Sequence, residues 1–300
     1  MSKNILVTGG HGQLGSEFNA LAAVYPQHNF FVYGRADLDI TSERAVETAM
    51  DRHTCNVLIN CAAFTSVDRA ETEPDLANEV NREGVGVLAR AARRHGALLI
   101  HFSTYYVFDG LSSRPYAETD PASPLGVYGT SKFDGEQLIR EAGPSYLIIR
   151  TGWLYSRFGA NFVKSILRLG SERDRIEVVS DRTGSPTHAA ELASAVMGMV
   201  DNWDTRKRFA ETFHFANAGA CSWYDLAVAV IDAAGLTCKV VPVGSSAFPA
   251  QGPRPWYSVM DSTAIRREWN LEISHWQKAL GEMLELHGSR HSPGTPPHLP

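Results

Sequence analysis

The sequence has little of what marks several protein classes. Only four of its 300 residues are cysteine, Cys55, Cys61, Cys221 and Cys238. They form no close pair and no metal-type spacing, so neither a disulfide framework nor a zinc site is expected. No apolar run approaches the ~18 residues that a membrane span needs. The first apolar run, Ile5-Leu6-Val7, stops at Gly9-Gly10, too short for the core of a secretory signal. With no export signal the thiols are expected to be reduced and the protein cytoplasmic. Positive charge is also in deficit, with 28 Lys and Arg against 33 Asp and Glu, a formal charge of −5. A mildly acidic chain does not coat nucleic acid or an anionic membrane through its overall field, although it can bind an anion locally.

The remainder reads as a globular protein of about two domains at ~150 residues each. Strand-like runs at Asn4–Val7, Asn29–Tyr33, Asn56–Asn60, Leu98–Ser103 and Tyr146–Arg150 alternate with helix patterns. The helix patterns cover Gln13–Tyr25, Ser42–His53, Asp75–His95 and Val127–Glu141. Strands that are apolar throughout are buried on both faces, as in a parallel sheet covered by helices. The expected fold is therefore α/β, a Rossmann-type doubly wound parallel sheet with a smaller mixed α/β substrate-binding region. Residues 1–150 are expected to bind the dinucleotide. Residues 151–287 form the second region, with some segments returning to the first. Residues 288–300 hold four prolines and little apolar content, and are expected to be a disordered tail.

After the first strand comes Thr8-Gly9-Gly10-His11-Gly12-Gln13-Leu14-Gly15. In a strand–loop–helix context, Gly9 permits the tight turn, Gly12 lets a pyrophosphate approach, and Gly15 lets helix and strand pack closely. The helix N-terminus then offers free N–H groups to the phosphates. The second strand ends in Gly34-Arg35. An arginine there favours the 2′-phosphate of NADPH, while the nearby Asp37 or Asp39 keeps NADH open. Asp39 and Ile40 are expected beside the adenine.

Tyr128-Gly129-Thr130-Ser131-Lys132 is a YxxxK motif in a helix pattern, which puts phenol and ammonium on one face. Such a lysine favours the ionised phenol, and the tyrosine can give a proton to a carbonyl oxygen as hydride reaches its carbon. Ser103-Thr104 ends the fourth strand, where ligands bind in open α/β sheets, and a hydroxyl there can orient the substrate oxygen. His11, His101 and His214 read as solvated or structural. Trp223, Trp269 and Trp276 read as packing.

Together these features resemble the dTDP-4-dehydrorhamnose reductase family of the extended short-chain dehydrogenase/reductase superfamily. The resemblance spans nearly all of residues 4–287. It rests on Gly12–Gly15, Asn60–Asp68, Ser103–Gly110, Pro115–Glu118, Pro124–Lys132, Arg150–Tyr155, Asn161-Phe162, Gly184–Thr187 and Arg254-Pro255 with Ser258 and Asp261. It implies reduction of dTDP-4-dehydro-L-rhamnose to dTDP-L-rhamnose. It also implies roles. Gly12, Gln13 and Leu14 would line the pyrophosphate, and Ala63, Phe64 and Thr65 would touch the cofactor. Tyr128 would be the acid, Lys132 would hold the nicotinamide ribose, and Thr104 would polarise the 4-keto group. Trp153 would contact the sugar nucleotide, with Asn161 and Arg254 around its nucleotide or diphosphate. The expected partner is a nucleotide sugar, with a homodimer as the candidate assembly. Some members hold Mg²⁺ between subunits through carboxylates. Glu191 alone matches such a ligand, and no metal is expected.

One position departs from the family. Where members carry an aspartate facing the substrate, this chain has Tyr105. A phenol is larger, neutral at pH 7, and both donor and acceptor. Three readings follow: a different nucleotide 4-keto-6-deoxy sugar, the usual sugar with altered contacts, or a nucleotide-binding regulatory subunit without activity. The retained Thr104, Tyr128 and Lys132 speak against the last.

Overall fold

A computed structural model describes residues 2–204 and 208–288. The first half runs β1 (Asn4–Thr8), α1 (Gln13–Leu21), β2 (Asn29–Val32), α2 (Glu43–His53), β3 (Val57–Asn60), α3 (Val67–Thr72), α4 (Pro74–Asn78), α5 (Gly84–His95), β4 (Leu98–Thr104), α6 (Val127–Ala142) and β5 (Ser145–Thr151). The second half runs β6 (Leu154–Tyr155), α7 (Phe162–Glu172), β7 (Arg175–Val179), β8 (Thr183–Gly184), β9 (Thr187–His188), α8 (Ala189–Asn202), β10 (Ala210–His214), β11 (Cys221–Ser222), α9 (Trp223–Ala233), β12 (Lys239–Val243), α10 (Thr263–Trp269) and α11 (Trp276–Gly288). The tail expected over 288–300 lies outside the described residues, save Gly288, which ends α11.

The central sheet has six strands in the order β10-β5-β4-β3-β1-β2, every pair parallel. Side chains alternate across a strand. Ile5 and Val7 of β1 pack on one face with Phe18 of α1 and Val196 of α8. Leu6 packs on the other with Met50 of α2 and Leu88 of α5. The doubly wound α/β reading holds. A third apolar cluster gathers Val163 and Ile166 of α7, Leu226 and Val230 of α9 and Leu280 of α11, with Tyr105 and Trp153 at its border.

The helix-rich stretch expected over Asp75–His95 is helical from Pro74 to His95, but not as one regular α-helix. Between α4 and α5 lies a π-helical turn, Glu79–Glu83. The wider turn carries Asn81 inward, fully buried. Its Oδ1 accepts from Phe64 N–H at 2.9 Å, and its Nδ2 donates to Phe64 O at 2.9 Å and Ser131 Oγ at 3.1 Å. Those bonds hold the β3–α3 loop against α6 and offset the interruption.

The strand order reverses at β1, with β3 on one side and β2 on the other. In open α/β sheets, the crevice beyond the carboxyl ends at such a point is where ligands sit.

Candidate active site

At the end of β1 the chain turns through Gly9 at φ +66°. A Cβ there would lie 2.5 Å from the Ala62 nitrogen, and a Cβ on Gly15 would lie 2.3 Å from the Gly9 carbonyl oxygen. Only glycines let the loop lie this close to both β3 and its own helix. Gly12 N–H donates to Gly9 O at 2.9 Å. Helix α1 starts with neither a side-chain cap nor an acidic residue in its first turn, so its positive end stays available to an anion. Gln13 at that end has a buried Oε1 with no partner.

Beside this turn lies a cavity of about 400 Å³. Gly9, Gly12, Arg35, Asp39, Ile40, Ala63 and Phe64 all line it, as the sequence anticipates for a dinucleotide. Gln13, Leu14, Gly15 and Thr65 do not line it: Leu14 enters the core, Gly15 packs against the Gly9 carbonyl, and Thr65 is exposed on the following loop. The two acids beside Arg35 serve local turns. Asp37 accepts from Gly34 N–H at 2.9 Å, and Asp39 accepts from Thr41 N–H at 2.9 Å and its hydroxyl at 2.7 Å. The Thr41 bonds hold the Asp39 carboxyl below its ordinary range. A glycine cradle, an orphaned polar atom and an arginine at the cavity wall suit a phosphorylated dinucleotide.

The reacting groups converge where β4 meets α6. Thr104, nearly fully buried at the end of β4, has its hydroxyl close enough to the Tyr128 phenol to favour its ionised form. The same Oγ1 accepts from Tyr106 N–H at 3.2 Å. Helix α6 enters through Gly126, and a Cβ on Gly129 would lie 2.3 Å from Tyr106 O. That closeness lets the first turn of α6 bring Tyr128 to the strand end. Burial pushes the Tyr128 phenol up to about 12, with the Thr104 hydroxyl opposing it. This corrects the expectation that Lys132 lowers it. The Lys132 ammonium is held elsewhere, donating to Phe102 O at 2.7 Å with His101 Nε2 at 3.2 Å. Burial lowers Lys132 to about 8, against the charges of Glu136 and Cys61. A phenol at about 12 is protonated at neutral pH, so Tyr128 carries the proton that a donor passes on.

Ser103 faces away from this centre, donating to Glu136 Oε1 at 2.5 Å. Glu136, fully buried, also takes a forked bond from Arg150 at 2.9 and 2.7 Å.

The expected substrate residues surround the same end of the sheet unequally. Tyr105 and Trp153 are buried, the Tyr105 and Tyr106 rings lie 4.6 Å apart, and Trp153 and Tyr106 both act electrostatically on the Tyr105 hydroxyl. Trp153 stacks on Trp223 with centroids 3.6 Å apart, so Trp223 packs as expected but against a site residue. Asn161 caps α7, accepting from Lys164 N–H at 3.1 Å and donating to Ser156 O at 2.7 Å. Its amide is thereby committed to the fold. Arg254 forks onto Asp68 of α3 at 3.0 and 2.8 Å, which holds the Asp68 carboxyl down at about 2.

Three residues that bear on the site were not singled out by sequence, Asn81, Glu136 and Asp68 as the anchor of Arg254, and His101, read as solvated or structural, lies against Lys132. His101 had a signal, a polar side chain between the buried apolar Ile100 and Phe102. Glu136 gave no such signal, since Gln137 beside it is polar and exposed. Asn81 had none, because it faces inward only through the π turn.

One group of metal-competent side chains exists among the described residues: His188, Glu191 and Glu282 place one ligand atom each within 4.8 Å of one another. Asn217 Nδ2 already donates to Glu191. No step of the chemistry below uses this group.

A family model described as "RmlD substrate binding domain" matches residues 3–288. The dTDP-4-dehydrorhamnose reductase of Aggregatibacter actinomycetemcomitans is 39% identical over 284 residues, covering 92% of this chain and 96% of that one. The spore coat polysaccharide biosynthesis protein SpsK of Bacillus subtilis is 38% identical over 287 residues, covering 95% and 98%. The crystal structure of dTDP-4-dehydrorhamnose reductase from Bacillus anthracis in complex with NADP superposes at a TM-score of 0.91, with 34% identity over 95% of this chain and all of that one. The UDP-glucose 4-epimerase of Thermus thermophilus, at 19% identity and a TM-score of 0.77, shares the fold.

Proposed function

The chain belongs to the family of the RmlD substrate binding domain, and on that premise we propose that it reduces the 4-keto group of dTDP-4-dehydro-L-rhamnose to give dTDP-L-rhamnose. It is an NADP-dependent oxidoreductase of the Rossmann type. One observation carries the assignment of roles: buried Thr104 ends β4 and Tyr128 stands in the first turn of α6, close enough for the Thr104 hydroxyl to act on the phenol, beyond the glycine turn. Two hydroxyls side by side are what a ketone oxygen needs for orientation and protonation.

NADPH supplies the hydride for C4 of the sugar. Gly9, Gly12 and the first turn of α1 bind the pyrophosphate, and Arg35 takes the 2′-phosphate. Lys132 orients the nicotinamide ribose. Thr104 donates to the 4-oxygen, and Tyr128 holds at its phenol oxygen the proton that this oxygen receives. Arg254, braced by Asp68, presents its remaining N–H groups to the diphosphate. The four cysteines are free thiols, in keeping with a cytoplasmic enzyme. Among the described residues no helix is long and apolar enough to cross a membrane.

The test supplies the chain with NADPH and dTDP-4-dehydro-L-rhamnose and identifies the product by NMR. Formation of dTDP-L-rhamnose supports the assignment. Turnover only with another nucleotide 4-keto-6-deoxy sugar would transfer it to the second reading, which Tyr105 favours. Nucleotide binding without turnover of any keto sugar would favour a regulatory subunit.

A further inference from the structure

Resting on the 4-keto reduction above, we propose that Tyr105 and Gly152 are a coupled pair: a positioning residue and the space it requires, which together fix Tyr106 beside Tyr128 and so set how tightly the sugar is held. Tyr105 starts the 3₁₀ turn that follows Thr104, and its ring is only 8% exposed. Its neighbour across the sheet is the β5–β6 connection. A Cβ on Gly152 would lie 2.1 Å from Tyr105 Cδ1 and 2.5 Å from Cε1. Those atoms are in the body of a buried ring, which has no room to yield, so any larger residue at 152 displaces it. With an aspartate at 105, as in the family pattern, no ring would occupy this space.

The next residue makes the same point. Trp153 sits at φ +48°, a conformation that side-chain-bearing residues rarely adopt. It persists because the indole is gripped on both sides. One face stacks on Trp223 at 3.6 Å and 6°, and a Cβ on Gly184 would lie 2.5 Å from its Cε2. The held indole acts electrostatically on the Tyr105 hydroxyl, as does Tyr106. The Tyr105 and Tyr106 rings lie 4.6 Å apart, and Tyr106 meets Tyr128 edge-on at 5.2 Å. The line Trp153–Tyr105–Tyr106–Tyr128 is therefore continuous. Tyr105 acts through Tyr106, and replaces a carboxylate facing the sugar by a phenol tied into the protein.

A double-mutant cycle on Tyr105→Ala and Gly152→Ala tests the pair, with Tyr105→Phe as the conservative variant. Steady-state kinetics give KM for sugar and for NADPH. Calorimetry gives Kd for dTDP-L-rhamnose. Tyr105→Phe keeps the ring and loses the hydroxyl, and sugar KM is expected to rise roughly fivefold to tenfold, with kcat falling by less and NADPH KM unmoved. Gly152→Ala is expected to raise sugar KM at least as much in the parent chain and less than twofold on top of Tyr105→Ala, where the ring is gone. Equal effects of Gly152→Ala in both backgrounds, or a Tyr105→Phe enzyme with parental sugar KM, would overturn the pair. If the parent chain does not reduce the sugar but the cycle is non-additive in Kd, the reaction assignment fails and the pair stands. No binding of the nucleotide sugar by the parent chain overturns both.

Discussion

The Lys132 ammonium nitrogen lies 3.2 Å from Nε2 of His101, and the far side of that imidazole is already spoken for. Asn60 Oδ1 accepts from Ala62 N–H at 3.1 Å and from Thr8 Oγ1 at 2.7 Å. The Asn60 amide nitrogen therefore faces His101 Nδ1, at 3.0 Å. Nδ1 must accept, so the proton of the neutral ring sits on Nε2 and points at Lys132. Burial and the Lys132 charge both keep His101 neutral. The contact sets two donors against each other, which adds to burial in disfavouring the ammonium.

The first prediction concerns pH. Lys132 is charged below about 8 and neutral above it. If the ammonium orients the ribose, kcat/KM for NADPH is flat below that pH and falls through it as pH rises. His101→Gln offers a carbonyl oxygen in place of the N–H and is expected to move this limb upward. A limb that stays put in His101→Gln would show that the imidazole does not set the charge of Lys132. Glu136 and Cys61, which both favour the charged form, are unchanged in this variant.

A second prediction separates the cofactors. Arg35 lines the cavity while Asp37 and Asp39 are tied to local turns. Arg35→Ala should weaken NADPH by roughly 10- to 100-fold, the worth of a charge-assisted bond to phosphate, and NADH much less. Comparing kcat/KM for the two cofactors reads it. An equal loss for both would remove Arg35 from the 2′-phosphate.

The third prediction is a stability one. Arg254 lowers the Asp68 carboxyl from its ordinary 3.8 to about 2. A depressed carboxylate stabilises the fold above its unfolded pKa and loses that contribution as pH falls through the folded one. The contribution of this pair should therefore vanish between pH ~4 and ~2. Asp68→Asn is expected to flatten acid unfolding in that window, followed by circular dichroism, and to raise sugar-nucleotide KM because Arg254 is no longer braced. Unfolding curves of unchanged shape would contradict it.

The alternation of apolar strands and amphipathic helices made the parallel sheet legible, because Val57–Ile59 and Leu98–Ile100 are buried on both faces as their composition demands. The glycine turn and the Tyr128/Lys132 spacing were legible for the same reason: each is local, and each places its groups within one turn of chain. What sequence did not show is long-range. The π turn at Asn81 is stabilised by bonds to residues 17 and 50 positions away. The cap made by Asn161 and the brace between Asp68 and Arg254 concern atoms whose partners only folding reveals. The sign of the Tyr128 shift was also hidden, since it depends on whether Lys132 or burial dominates.

A fourth prediction follows from Glu136. It compensates Arg150 inside the protein, and one Arg150 nitrogen already lacks a partner. Glu136→Gln leaves a buried guanidinium without its counter-charge and should cost about 3–5 kcal/mol, seen as a lower urea midpoint at unchanged slope. A midpoint within error of the parent would mean that water reaches Arg150.

The central claim is hydride transfer to C4 with Tyr128 as proton donor, and isotope placement tests it most directly. The chain is incubated with NADPH carrying two deuterium atoms at C4 of the nicotinamide and with dTDP-4-dehydro-L-rhamnose, and the product is read by NMR. The account predicts one deuterium at C4 of dTDP-L-rhamnose, and a rate at least 100-fold lower for Tyr128→Phe. Deuterium at another carbon, or label transfer at the parental rate by Tyr128→Phe, would contradict it.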